Sequence, residues 1–513
     1  MRGSDLLEKH LWHRSNRWLA VALLALGILV SGAIVGYELL KRPADVHNAE
    51  AIRHFKPQKP PPPKQPRTVN WPFFGQNPAR TKYLPVRGIK PPFDKLWRFT
   101  EKPLQEFPPI YVGGKLYFVN NNGYAFALDA DTGKVLWERR IGRLNASSPA
   151  YYKHRLYIVN LEPGHLVKLD AKTGRTIWKK KLPGRAESSP VVVGRTVYFG
   201  CENGELFAVS TISGNVRWST PLGGAIKAGP AYYGGRLYVG DYGGHMNAVD
   251  AKTGKLVWQS GSLGPGFGGS GEFYSTPAVA YGRVYAGNND GRVYSYDLSD
   301  GTLAWSYSTG GYAYSGPAVA NTRHSPPTVF IGSFDGNVYA LDAKDGSLRW
   351  SRSAGGQVVG ALSGVGDIVY VSEFTNKTTS GFMMRSGKRV FRYPKGTYTP
   401  VISDGRRIYL TGYSSITALQ PHRAVVAVGA ARLARKPGRA PSAGARAARS
   451  GSSRSSGSGS CSSPRSPGNR RASGSGGGCR ARQRACARRS GPHLRQPTRQ
   501  SRKACRRSGG RGR

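Results

Sequence analysis

The chain has 513 residues, 39% of them hydrophobic and 11% aromatic, with five cysteines. That length buries a large core without disulfides, so a disulfide-stapled mini-scaffold is excluded. A formal charge of +48, from 76 Lys and Arg against 28 Asp and Glu, directs attention to polyanionic partners: nucleic acid, anionic lipid or wall polymer.

Arg2, Lys9, Arg14 and Arg17 precede Trp18 to Tyr37, twenty residues without a charge. A helix of that length crosses the hydrocarbon of a bilayer. The expected arrangement is a cytoplasmic segment over 1–17, a transmembrane anchor over 18–40, and the remainder on the extracytoplasmic side of a bacterial cell membrane as a single-pass protein. Lys41, Arg42, Arg53, Lys56 and Lys59 follow closely, so the flanking charges alone do not orient the helix. Ser31-Gly-Ala33 keeps a cleaved signal peptide open as the alternative. No cysteine follows immediately to carry a lipid anchor. Residues 41–69 form a Pro-rich linker, and Pro57 to Pro66 is expected to be an extended polyproline spacer holding the rest of the chain off the membrane.

Tryptophan then recurs on a fixed period. Trp97, Trp137, Trp178, Trp218 and Trp258 stand 40, 41, 40 and 40 residues apart, and Trp305 and Trp350 follow after 47 and 45. Such self-similarity marks a repeat architecture. In the copy from Leu116 to Trp137, Leu116–Val119 and Tyr124–Leu128 are aromatic and β-branched runs joined by Asn122-Gly123, a dipeptide suited to a tight hairpin. Asp129-Ala-Asp-Thr-Gly133 follows as a turn closed by the aspartate side chain, with a left-handed glycine before the strand that carries Trp137. Asp170, Asp250, Asp297 and Asp342 head the same turn in later copies. One more short strand precedes each copy, introduced by Ser148-Pro149, Ser189-Pro190, Gly229-Pro230, Thr276-Pro277, Gly316-Pro317 and Thr399-Pro400. Four strands per repeat is the content of a β-propeller blade.

A degenerate seventh copy ends at Phe391, and an eighth, Tyr398 to Leu419, lacks the turn and the tryptophan strand. Phe93 to Phe99, with Trp97, has the form of that missing strand and nothing before it. Pairing the two closes an all-β, eight-bladed β-propeller of four-stranded blades over residues 70–420 and hides two open edges.

These residues resemble the pyrroloquinoline-quinone-like (PQQ-like) propeller repeat family, whose signature is matched by Leu237-Tyr-Val-Gly-Asp241 and by Val338 to Trp350. Trp71 to Thr81 is similar to the family's lead-in segment. The uninterrupted eight-blade form most resembles the BamB type of outer-membrane assembly lipoprotein, a non-enzymatic scaffold. It also resembles the sensor domains of some bacterial kinases, and quinoprotein dehydrogenases share the blades. The resemblance thus implies a protein- or ligand-binding scaffold of the cell envelope, with a quinone- and calcium-dependent oxidoreductase or a ligand-sensing ectodomain as alternatives.

The last segment, 421–513, contains 24 Lys and Arg and no Asp or Glu, crowded among Ser, Gly, Ala and Pro. It is expected to be a disordered, low-complexity basic tail, and its abrupt start after Leu419 also fits a frameshifted translation. Cys461, Cys479, Cys486 and Cys505 lie in it without zinc spacing. The first 420 residues still carry 52 Lys and Arg against 28 Asp and Glu, which suits an anionic lipid or wall polymer; nucleic acid is not the expected partner.

No catalytic or metal site stands out. Cys201 is the one cysteine of the body, so the adjacent cysteine pair of many quinone enzymes is missing, and neither PQQ nor calcium is expected. The recurring aspartates are accounted for by their turns. The expected binding site is the channel mouth, where the residue three before each Pro, or its aligned equivalent, converges with the others: Glu106, Ala146, Glu187, Lys227, Tyr274, Tyr314, Val358 and Thr397. Those loops surround either a water-filled funnel or a docking site for an envelope protein or peptide. Phe267, Phe273, Tyr274, Tyr312 and Tyr314 are expected to be exposed beside it.

Overall fold

The computed structural model describes residues 4–41, 43–64, 69–265, 270–398 and 400–422. The basic tail from residue 423, Phe267 and Thr399 lie outside the described residues. Helix α1, Ser4–Lys41, contains the uncharged span, whose side chains are exposed from Trp18 to Val35.

Eight sheets form among the described residues, seven of four strands and one of five. Blade 1 consists of Ile110–Val112, Lys115–Val119, Tyr124–Asp129 and Val135–Arg140 in antiparallel order from the axis outwards. The two middle strands are buried on both faces, whereas the outer strand is exposed except at Trp137. Blades 2 to 7 repeat this pattern, with outer strands bearing Trp178, Trp218, Trp258, Trp305, Trp350 and Phe391. Blade 8 takes Ile402–Ser403, Ile408–Thr411 and Ser415–Pro421 from the end of the propeller and its outer strand, Phe93–Thr100, from the beginning. Trp97 pairs with Ala418 and Phe99 with Ile416. The ring therefore closes as the missing strand required.

Tryptophan and aspartate turn are two halves of one joint. Asp129 Oδ1 accepts from the Thr132 amide and hydroxyl, each at 2.8 Å, leaving Gly133 in the left-handed region at φ +72°. Trp97, from the preceding blade, lies over that glycine and donates its indole N–H to the Ala130 carbonyl at 3.1 Å. The same joint sets Trp137 on Gly174 and Ala171, Trp178 on Gly214 and Ile212, and Trp218 on Gly254 and Ala251. Trp258, Trp305 and Trp350 latch in turn onto Gly301, Gly346 and Gly387. Asp170, Asp250, Asp297 and Asp342 hold four of these turns. Phe391 now has a reason. The blade after it is the one assembled from both ends of the propeller, so it has no turn to latch, and Phe391 packs edge-on against Phe93 at 5.3 Å instead.

A methyl group on Gly133 would stand 2.6 Å from the Trp97 ring, whereas one on Gly194, at φ +58°, would meet open space. Gly194→Ala is therefore expected to cost about 1 kcal/mol of backbone strain, and Gly133→Ala about 3 kcal/mol, because overpacking adds to the strain. Urea midpoints distinguish them; equal shifts would mean that the latch carries no weight.

The lead-in segment is not a flank. Trp71 exchanges backbone hydrogen bonds with Tyr111 of blade 1 at 2.7 and 3.0 Å, and the carbonyls of Pro72, Pro78, Ala79, Thr81 and Lys82 accept from inner-strand amides of blades 2, 4, 5, 6 and 7. Tyr83–Leu84 then lies parallel to Gly364–Val365 as the fifth strand of blade 7. The segment thus coils inside the channel and plugs it, so the ring does not enclose an open funnel. Left-handed φ at Gln76, Arg80 and Lys82 costs about 1 kcal/mol each and turns Arg80 and Lys82 inward. Both are fully buried. Arg80 donates to the carbonyls of Phe74, Ser189 (2.8 Å) and Pro230 (3.1 Å). Lys82 donates to those of Arg80 (3.2 Å), Thr276 (3.2 Å) and Pro317 (3.1 Å).

The linker also differs from a free spacer. His47 bridges Trp305, the Asn48 amide donates to Ala304 at 2.8 Å, and the Lys56 amide to Tyr281 at 2.9 Å. Helix α2, Ala49–Arg53, is capped by Asn48 and receives the Arg283 guanidinium on the Ala51 carbonyl. Residues 45–56 therefore ride on blade 5, and the Asn321 side chain of blade 6 donates to the Gln58 carbonyl.

Candidate binding site at the channel mouth

In seven of the eight blades the loop into the inner strand ends in proline, whose fixed φ stiffens the approach; in blade 7 the place is taken by Ala361. Antiparallel connectivity puts these entry loops on the same face as the tight hairpins between the second and third strands. At their centre lies a cavity of about 330 Å³. Glu106, Lys227, Tyr274 and Tyr314 line it, together with Phe74, Phe107, Tyr242 and Tyr398. Phe74 belongs to the plug and forms the floor, with the Arg80 and Lys82 charges 5.9 and 5.8 Å from its ring centre.

Glu187 is buried, accepts from the Tyr274 hydroxyl and lies 3.5 Å from the Lys227 ammonium. Lys227 also approaches Glu202 at 3.9 Å and the Tyr242 ring at 5.5 Å. The Glu106 carboxylate accepts from the Asn121 amide at 3.3 Å. Burial, helped by the Glu187 charge and opposed by Asn121 and Lys227, raises the Glu106 carboxyl above its ordinary range. Burial and then Glu187 push the Tyr274 hydroxyl well up.

Ala146, Val358 and Thr397 do not reach the cavity; all three are buried in the walls. The Thr397 hydroxyl has no partner among the described residues. Phe273, expected to be exposed, is fully buried and packs 5.7 Å from Tyr294 in the blade 5 core. Tyr312 is exposed at the rim as expected.

A second tier escaped the entry-loop reading. The hairpin positions Asn121, Glu202, Tyr242, Asn289, Phe334, Phe374 and Tyr413 project on this face, and several meet an entry-loop residue. Asn121 holds Glu106 and Glu202 faces Lys227, while Phe334 lies 6.2 Å from Tyr314 and Phe374 lies 5.1 Å from Tyr398. Their common place, two residues before the hairpin glycine in five of these seven copies, is the signal that finds them. The mouth is consequently two-sided. Glu106, Glu187, Glu202 and Lys227 gather on the side of blades 1, 3 and 4. From blade 4 round to blade 8 runs an aromatic arc in which Tyr242 and Tyr274 stand 6.4 Å apart, and Tyr274 and Tyr314 5.8 Å apart. Tyr312, Phe374 and Tyr413 carry it to the surface with 50%, 37% and 46% of their area exposed.

Known proteins supply the remaining findings. The family model described as outer membrane protein assembly factor BamB matches residues 93–226 and 222–424. No curated protein matches the chain in sequence. Among solved structures, BamB from Moraxella catarrhalis is similar at 17% identity and a TM-score of 0.53, over 64% of this chain and 99% of that one. The quinohemoprotein alcohol dehydrogenase ADHIIG from Pseudomonas putida HK5 is similar at 14% and 0.60, over 74% and 82%. The computationally designed Ika8 protein is similar at 13% and 0.54, over 64% and 99%. At these identities the likeness is one of fold, and a fold shared by such different proteins leaves function to the site.

Proposed function

This chain belongs to the PQQ-like β-propeller family whose model is that of outer membrane protein assembly factor BamB, and from that premise we propose that it is a membrane-anchored scaffold that docks an envelope protein through the channel mouth. The carrying observation is the aromatic arc of blades 4 to 8, with Tyr312, Phe374 and Tyr413 exposed on one face. Exposed rings beside a concave centre and a charged flank are the composition of a protein-docking surface. The anchor is the uncharged helix span Trp18–Tyr37, and the propeller lies on the extracytoplasmic side.

A binding role is also favoured over quinone catalysis by the donors themselves. Calcium requires oxygen ligands free to converge on it. At the mouth Glu187 is engaged by Tyr274 and faced by the Lys227 ammonium at 3.5 Å, so this carboxylate is not free to take a metal. Cys201 is buried, its thiol donating to the Arg185 carbonyl at 3.1 Å. Of Glu106, Glu187 and Glu202, only Glu106 is left without a paired cation, and among the described residues no three His, Cys, Asp or Glu side chains are grouped to hold a metal, which supports binding over a calcium-held quinone.

Photocrosslinking in intact cells tests the reading. With benzoyl-phenylalanine at 312 or 374, a discrete adduct with one envelope protein is expected, and none with the same probe at Tyr233, which lies at an inner-strand turn on the opposite face. Adducts absent from the rim, or equal at all three positions, would overturn it.

A further inference from the structure

We propose that the channel-mouth cavity receives one alkylammonium or guanidinium group, a Lys or Arg side chain of the docking partner, with Glu106 as its counter-ion; the proposal rests on the docking reading above. Three observations carry it. The cavity, about 330 Å³, is of side-chain size rather than protein size. Its walls are aromatic on several sides: Phe74 below, with Tyr274, Tyr314 and Tyr398 around it, and ring faces attract cations, most strongly where water is excluded.

Glu106 supplies the third. Glu187, which stands behind the lining residues Lys227 and Tyr274, is balanced by them. Glu106 has the neutral Asn121 amide at 3.3 Å, and among the described residues no cationic nitrogen lies within 4.0 Å of it. Glu106 is thus a half-buried carboxylate in an aromatic pocket with no cation paired to it, because Lys227, whose charge reaches it, is committed to Glu187. Arg80 and Lys82 do not fill the deficit: their nitrogens are directed to backbone carbonyls below Phe74. The lysine already present shows how the site treats a cation, since its ammonium lies 5.5 Å from the Tyr242 ring and 3.5 Å from a carboxylate. An incoming Lys or Arg would take the matching place between Glu106 and the tyrosines on the other side.

The test compares benzamidine, a flat cation, with benzamide, its neutral near-isostere, by calorimetric titration of the full-length protein in detergent. Benzamidine is expected to bind at least tenfold more tightly. Glu106→Gln should abolish that preference without moving the melting temperature. Lys227→Met, which removes the resident cation, should strengthen benzamidine binding severalfold and keeps the proposal testable if the glutamate variant folds poorly. Equal affinities for the two probes, or an unchanged preference in Glu106→Gln, would overturn the assignment. The rim crosslinks separate the two readings. Adducts that weaken in Glu106→Gln support a partner side chain as the source. Undiminished adducts alongside equal probe affinities defeat the cation pocket alone. Benzamidine selectivity without any rim adduct defeats protein docking and makes the ligand a free amine.

Discussion

Truncations from the N-terminus are expected to lower the melting temperature in two large steps, neither of which coincides with the membrane helix. A chain beginning at residue 69 loses α1 and the short linker contact on blade 5, which buries Ala51, packs Phe55 on Tyr281 and accepts from Arg283, and its fall in melting temperature should be smaller than either step that follows. Beginning at residue 91 removes the plug: fully buried Trp71, Arg80, Lys82 and Leu84, and the carbonyls that accept from the inner strands of six blades. Each large apolar side chain lost is worth about 1.5 to 3 kcal/mol, and the freed amides add to that, so a loss of several kcal/mol is expected. Beginning at residue 101 also takes the outer strand of blade 8 with Trp97, whose indole latches blade 8 to blade 1 at the Ala130 carbonyl. The ring then has an open seam and an unpaired strand, and aggregation on heating is expected. Thermal melts of the three chains check both steps. Equal values for starts at 69 and 91 would deny the plug its role, and equal values for 91 and 101 would deny the closure.

Arg80→Met is the single substitution with the largest expected effect. The methionine fills much of the arginine's volume but leaves the carbonyls of Phe74, Ser189 and Pro230 without their shared donor inside the channel. Removing one partner from a buried, charge-assisted set costs the desolvation of the acceptors left behind. A loss of about 3 kcal/mol or more is expected from denaturant midpoints, and Arg80→Lys should recover only part of it because one ammonium cannot span three carbonyls. The effect also reaches the site, since Arg80 lies beneath Phe74 and helps hold the cavity floor. A midpoint unchanged from the parent would show that the plug is held by its backbone alone.

Much of this architecture can be read from residue order because a blade is a local object. Strand, Asn-Gly hairpin, Asp-x-x-x-Gly turn and tryptophan strand fall within one repeat, and the surplus strand at Phe93 and the deficit after Leu419 are complementary. Even so, the reason for the tryptophan's period is a contact with the next blade's turn glycine, and for Phe391 the absence of such a turn. The entry-loop prolines likewise place Glu106, Lys227, Tyr274 and Tyr314 at the mouth, because each of those loops serves the same place in its blade.

The remainder depended on contacts between distant positions. Nothing local in Trp71 to Lys82 distinguishes a channel plug from a flank, since its partners lie as far away as Gly364. Two cations in a coil ordinarily belong to a solvated surface; only a ring of inward-facing carbonyls makes full burial of Arg80 and Lys82 tolerable. Phe273 entered the core for a related reason: Gly240 leaves room beside it in the neighbouring strand. The sequence by itself determined the number of blades, their closure and the face on which side chains converge, through a period and a turn chemistry that repeat. Which of those side chains share a cavity, and what floors it, was decided by the tertiary structure, because a cavity is formed by residues that no repeat places next to one another.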